Sequence, residues 1–301
     1  MKNLISVIIT TYNRRMMLET AIKSVISQKN VELELIIIDD NSTDDTVSMV
    51  EHLQFPSQVS LVFIKNKKNY GLLYNHSVGF KRTNGDFVIF MDDDDYYTDK
   101  NFFKRAINKL NEDESLSFVA SNVEIKHEKD GRITQSPLNI SGFITKESYL
   151  SNFQFKYSKP LSTFPAVFRK SKLLEAGFEN MKAMNDSSIY MRSLLAGNAF
   201  IFLENIGIYR LHGDNRSCDN GSYFLQNLQE KCRILEEGKH IIRRPKHWWY
   251  NQFTLTYKYY ASAKHRIKDE KEIIDWGLEH NGGSILLRWY LRFRKYRLSS
   301  C

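Results

Sequence analysis

Cysteine is scarce in this sequence: Cys218, Cys232 and Cys301 are the three among 301 residues. An odd number at wide spacing argues against a disulfide framework or a structural zinc site and fits a reducing compartment. Long apolar runs are missing too. FVIFM at 87–91 is representative of the longest, far short of the ~18–20 residues that a membrane-spanning helix needs. No signal peptide is expected, because SVIIT at residue 6 runs directly into polar TYNRR. Internal repeats and low-complexity segments are also lacking. Apolar residues make up 42% and charged residues 26%, which excludes wholesale disorder. The expected location is the cytoplasm, or a peripheral position on the cytoplasmic face of a membrane.

Charge is present but uneven. The formal net charge is +8. From residue 231 onward there are 16 Lys and Arg against 7 Asp and Glu, while the rest of the chain holds 27 against 28. The excess is therefore an appendage on a near-neutral body, which directs attention to phosphate-rich partners or an anionic membrane surface.

The first ~95 residues alternate strand and helix patterns. Strands are expected at Leu4–Thr10, Leu33–Asp39, Val59–Ile64 and Asp86–Met91, and helices at Arg15–Gln28 and Gly71–Lys81. A further helix follows Asp40, with Ser42 or Thr43 as its cap. This alternation implies a mostly parallel sheet covered on both faces. Shorter strands are expected at Ser117–Ile125, Phe164–Phe168 and Ala199–Leu203, and a helix over 185–195. Beyond about 216 the pattern is helical, broken by Pro245 and by Gly282–Gly283.

In open α/β sheets, ligands bind beyond the carboxyl ends of the strands. Three polar clusters fall there: Thr10-Thr11-Tyr12-Asn13-Arg14, Asp39-Asp40-Asn41-Ser42 and Asp92-Asp93-Asp94-Asp95. The first can be a turn and the second a helix cap. Four consecutive carboxylates after an apolar strand repel one another unless a cation compensates. A solvated acidic turn is the plain alternative; Mg²⁺ or Mn²⁺ suits the oxygen donors better. Such a metal commonly accompanies a phosphate-bearing substrate.

The ordered set SVIITTYNR (6–14), ELIIIDDNSTDDT (34–46), NYGLLYN (69–75), NGDFVIFMDDDD (84–95), NDSSIYMRSLLAGN (185–198) and YRLHGDNRS (209–217) resembles family 2 glycosyltransferases. The resemblance covers about 1–217 and implies a GT-A αβα sandwich as catalytic domain. Residues 218–301 remain a helical, basic extension: a lid, an oligomer contact or a membrane contact. The resemblance further implies a UDP-sugar donor and transfer with inversion to a hydroxyl of a glycan or lipid-linked glycan. Thr10, Tyr12 and Arg14 match nucleotide-lining positions. Asp40 matches the carboxylate that meets uracil, with Asp39 beside it. Asp92 and Asp94 match the D-x-D pair that contacts ribose and metal. Asp93 and Asp95 leave the register of that pair open. His212 matches a histidine that completes the metal or diphosphate site. Asp186 matches the catalytic base, in a chain carrying Asn185-Asp186 where the family usually has Glu-Asp.

Residues 285–298, ILLRWYLRFRKYRL, form a basic aromatic helix with Leu286, Trp289, Tyr290 and Phe293 on one expected apolar face, suited to a membrane interface. His247-Trp248-Trp249-Tyr250, beside Arg243, Arg244 and Lys246, shares that character. A packed lid or a homo-oligomer contact is the other reading. Three other functions compete with this reading. A sugar-nucleotide-forming nucleotidyltransferase should carry a glycine-rich loop after the first strand, and TTYNRR has no glycine. A nucleic-acid-binding module would rest on the basic tail alone, and the Asp cluster opposes it, so no nucleic acid is expected as partner. A nucleotide-sugar binder without turnover stays open through the missing acid at 185.

Overall fold

The computed structural model describes residues 3–212, 221–262 and 270–299. The expected domain division at 217/218 lies outside the described residues, as do Cys218, Cys301 and the GDNRS end of the last motif. In chain order the elements are β1 (Leu4–Thr11), α1 (Arg15–Ile26), β2 (Glu32–Asp39), α2 (Thr46–His52), β3 (Val59–Lys65), α3 (Leu72–Arg82), β4 (Phe87–Asp92), β5 (Tyr96–Tyr97), α4 (Phe102–Glu112), β6 (Leu116–His127), β7 (Ile133–Gln135), β8 (Gly142–Ile144), α5 (Lys146–Ser151), β9 (Ala166–Arg169), α6 (Lys170–Glu175), α7 (Asp186–Ala196) and β10 (Asn198–Leu211). Four helices follow: α8 (Gly221–Glu237), α9 (Pro245–Ser262), α10 (Glu270–Glu279) and α11 (Ile285–Ser299).

One sheet organises the molecule, in the order β3-β2-β1-β4-β9-β6-β10-β5, with β7 on β6 and β8 on β10. The long pairings β1–β2, β1–β4, β2–β3 and β6–β10 are parallel. The antiparallel pairings involve three residues or fewer. β1 is buried on both faces. Ile5, Val7 and Ile9 enter a core shared with α1, α2 and α4. Ile8 enters the opposite core, with Ile36 and Ile38 of β2. Continuous apolar runs of this kind are what a doubly covered parallel sheet requires. α1 supplies Leu18, Ala21, Ile22 and Val25 at helical spacing. α3 lies close on the sheet because Gly79 has no side chain: a Cβ there would stand 2.6 Å from Ile8 Cγ2.

Several expectations need correction. α2 starts at Thr46 after Asp45, not at a Ser42 or Thr43 cap. Ser42 Oγ instead accepts the backbone N–H of Asn13 at 2.8 Å, tying the β1 and β2 ends together. α3 starts at Leu72, because Gly71 sits at φ +82°, ψ 170°, outside the helical region. Pro245 opens α9 rather than breaking a helix, since the first helical position needs no N–H. The strand expected at Ala199–Leu203 is β10, 14 residues long with three register irregularities. Trp248 and Trp249 are buried, which removes them from any membrane face. Their indole N–H groups donate to the carbonyls of Leu150 and His280, both at 2.7 Å. On α11 Tyr290 turns toward the protein rather than joining an exposed apolar face with Trp289. The larger apolar core runs without interruption from β1 and β4 through α7 into α8–α11.

Candidate active site

The order β3-β2-β1-β4 reverses direction between β1 and β4, which opens a crevice at their carboxyl ends. Register brings Thr10 of β1 level with Asp92 of β4, and Thr11 level with Asp39 of β2. The three polar clusters therefore meet at one edge. Tyr12 stands exposed at the end of β1. Asn13 then turns the chain at φ +53°, a conformation in which Asn is enriched.

The four aspartates separate by direction. Asp93 turns toward β1: its Oδ2 accepts from Thr11 Oγ1 at 2.7 Å and its Oδ1 from Arg14 Nη1 at 3.0 Å. Arg14 also reaches Asp94 Oδ2 at 3.1 Å. Asp92, Asp94 and Asp95 converge, with one carboxylate oxygen from each lying within 4.8 Å of the others. His212 Nε2 lies 2.9 Å from Asp94 Oδ2. Asp95 Oδ1 accepts the Arg210 N–H at 3.3 Å, while its Oδ2 is buried without a hydrogen-bond partner. Burial and mutual repulsion push Asp92 and Asp95 well above the usual carboxylate range. Burial raises Asp93 to about 6, against the opposing pull of Arg14 and Thr11. A convergent oxygen set, an orphaned carboxylate oxygen and repulsion that Arg14 relieves only in part together fit a hard divalent cation.

Asp39 and Asp40 take structural duties. Asp39 Oδ1 accepts the Ser42 N–H at 2.9 Å, and its Oδ2 is buried without a partner. Asp40 gathers three donors: Asn66 Nδ2 and Tyr70 N at 2.8 Å on Oδ1, and Gly71 N at 2.9 Å on Oδ2. The carboxylate matched to uracil thus also clamps the NYG stretch that starts α3.

Asp186 is the first residue of α7. The cap is Asn185, whose side chain accepts the Ser188 N–H at 3.0 Å. The Asp186 carboxylate is therefore not consumed by helix capping. It receives Lys159 Nζ on Oδ2 at 3.2 Å and lies near enough to Asp92 to help raise it. Behind it His76 is buried against Phe90, and burial lowers its imidazole to about 4, so it is neutral at pH 7.

Sequence reasoning missed Lys159 and Ser162. Ser162 is buried at φ +62°, with Oγ 3.4 Å from Asp92 Oδ2, and its carbonyl accepts Tyr190 Oη–H at 3.0 Å. A non-glycine residue held in that region is a strained position of the kind that collects at functional sites. The signal was strand direction. β9 runs antiparallel to β4, so the loop before β9, not after it, reaches the carboxyl edge.

A model of the family described as "Glycosyl transferase family 2" matches residues 6–178. The chain is 33% identical over 208 residues to the Campylobacter jejuni GalNAc(5)-diNAcBac-PP-undecaprenol beta-1,3-glucosyltransferase, across 69% of this chain and 64% of that protein, just under two thirds of its length. An uncharacterized glycosyltransferase of Haemophilus influenzae is 24% identical across 99% of this chain and 88% of its own. Among solved structures, S. aureus TarS 1-349 in complex with UDP-GlcNAc superposes at TM-score 0.69 and 19% identity, covering 92% of this chain and 80% of that one. The mannosyltransferase PcManGT of Pyrobaculum calidifontis, in complex with GDP-Man and Mn²⁺, gives 0.56 at 14% identity, over 97% and 79%. These likenesses show the GT-A type fold, with its mostly parallel central sheet and C-terminal helices. The family match takes in the three clusters at the carboxyl edge, and with it the chain belongs to glycosyl transferase family 2.

Proposed function

We propose that the chain is an inverting, metal-dependent transferase that moves a sugar from a UDP-sugar to a hydroxyl of a glycan acceptor, and that this acceptor is lipid-linked. The observation that carries the reading is the convergence of Asp92, Asp94 and Asp95, with the Asp186 charge close enough to Asp92 to help raise it. The Campylobacter relative, named for a PP-undecaprenol acceptor, supports the lipid-linked class. Structures of the S. aureus neighbour with UDP and UDP-GlcNAc support the uridine donor. The pathway would be the assembly of a surface polysaccharide, lipid-linked oligosaccharide or glycoprotein glycan, on the cytoplasmic side of a membrane.

In this reading Thr10 and Tyr12 border the base, Asp39 and Asp40 hold the base–ribose end, and Asp93 fixes Arg14 toward the diphosphate. Asp92, Asp94 and Asp95, with His212 on Asp94, would hold Mn²⁺ or Mg²⁺, which supplies positive charge to offset the departing diphosphate. Asp186 takes the proton of the acceptor hydroxyl as its oxygen bonds to the anomeric carbon. The bond from that carbon to the diphosphate oxygen breaks, its electron pair leaves with UDP, and the anomeric centre inverts. Lys159, on Asp186 Oδ2, orients the carboxylate.

Calorimetric binding of UDP, GDP and CMP, each with Mn²⁺ and with EDTA, tests this. UDP-selective binding that needs the metal is expected. Asp95→Asn should weaken it by roughly tenfold or more in Mn²⁺, toward the level seen in EDTA, whereas Asp93→Asn should keep the metal dependence. Equal binding of the three nucleotides, or no metal dependence, would overturn the reading.

A further inference from the structure

We propose that the outward face of α11 lies in the interface of an anionic phospholipid membrane. α11 has two apolar faces. One is packed: Leu287 and Leu291 are buried, with Tyr290 half-buried beside them. On the other side Ile285, Leu286, Trp289, Phe293 and Tyr296 are 69%, 62%, 72%, 59% and 72% exposed. At 100° per residue, Ile285, Trp289 and Tyr296 fall within about 40° of one another, on the side opposite Leu287. One exposed apolar residue is ordinary, but Ile285, Leu286, Trp289 and Phe293 together on one side of a 15-residue helix make an exposed apolar surface.

Charge identifies the occupant. α11 carries no acidic residue. Arg294 pairs with Glu270 in a partly buried contact and the exposed Lys295 pairs with Asp275, both at 2.6 Å. Arg288 and Arg292 remain exposed on one flank of the apolar stripe and Arg297 on the other. Lys246 adds a cation at the turn into α11, where its Cε would stand 3.3 Å from a Cβ on Gly283. Aromatics and aliphatics rimmed by arginines match an acyl–headgroup boundary with anionic lipid. A second copy on the same face would set these arginines against each other. No helix among the described residues is long and apolar enough to cross a membrane, so α11 would lie on the surface.

The full chain is sedimented with vesicles of phosphatidylcholine alone and with about 30% phosphatidylglycerol. Binding to the anionic vesicles is expected, weakening with salt. Arg288→Gln with Arg292→Gln should lower the partition coefficient on the order of 30-fold, and Trp289→Ser with Phe293→Ser should abolish binding. These side chains are exposed, so the thermal transition of each variant should match the parent. Trp289 emission should shift to the blue on anionic vesicles and the shift should vanish in Trp289→Phe. No binding of the parent, equal binding by the variants, or a dimer that Trp289→Ser dissolves would each overturn the proposal. The assay needs no donor sugar, so its outcome is independent of the transferase reading.

Discussion

At the scale of single residues, the reactive groups are the polar side chains left over once the fold has been satisfied. Asn185 caps α7, and Asp186 is left with Lys159. Asp186→Asn keeps size and helix start while removing the basic oxygen. Turnover should fall by about 10²–10⁴-fold with UDP affinity nearly unchanged; normal turnover would dismiss Asp186 as the base. His76 gives a test by pH. Burial lowers its folded pKa to about 4, against ~6.5 unfolded. Between those values the unfolded chain binds more protons, so this group's contribution is intact above ~6.5 and is lost as pH falls toward ~4, by about 3 kcal/mol in all. The difference in unfolding free energy between parent and His76→Asn, followed by urea titration from pH 7 to 4.5, should therefore shrink on acidification. A constant difference would mean that His76 is not held neutral.

Between elements, the join of α7 to α8 rests on a buried charge cluster. Arg192 Nε donates to Glu230 Oε1 at 2.7 Å, and the Lys182 N–H reaches Glu230 Oε2 at 2.9 Å. Arg192 also pairs with Glu237. Arg192 and Glu230 are both buried, so removing one takes away the other's buried counter-charge and leaves only the more exposed Glu237 on Arg192 or Arg233 on Glu230. Glu230→Gln should cost about 3–5 kcal/mol, and Arg192→Met with Glu230→Leu together much less. Additive losses in the double-mutant cycle would show that the two charges do not compensate each other. None of this was legible in the sequence, because no spacing links residue 192 to 230. β1, β2 and β4 were legible because each is buried on both faces and carries an apolar run: Val7–Ile9, Leu35–Ile38 and Phe87–Met91. β9 was legible as a strand but not in its direction, and with direction went Lys159 and Ser162. The Ser42 cap failed because a hydroxyl after a strand can serve the neighbouring loop as readily as a helix start.

At the scale of the whole molecule, composition marked residues 231–301 as a basic appendage, and charge alone cannot tell a solvated tail from a packed one. Trp248 and Trp249 show the difference: flanked by Arg244 and Lys246 in sequence, they are nonetheless buried. The C-terminal helices cover α5 and α7. Trp248 and Gln252 of α9 donate to the carbonyls of Leu150 and Phe153 at 2.7 Å, and Glu230 of α8 neutralises Arg192. A chain ending at 217 would leave Arg192 without that partner, at about 3–5 kcal/mol. It would also uncover core side chains that now share one apolar cluster with α8–α11, at about 1.5–3 kcal/mol for each that is fully buried. The combined loss is of the order of the 5–15 kcal/mol that holds a typical domain together. Residues 1–217 alone are therefore expected to bind a hydrophobic dye, lose near-ultraviolet circular dichroism and fail to bind UDP, although the carboxylates at the sheet edge are all retained. A cooperative thermal transition in that fragment, with UDP affinity like the full chain's, would instead make the helices a separable module, and α11 could then be free to serve a membrane without supporting the catalytic sheet.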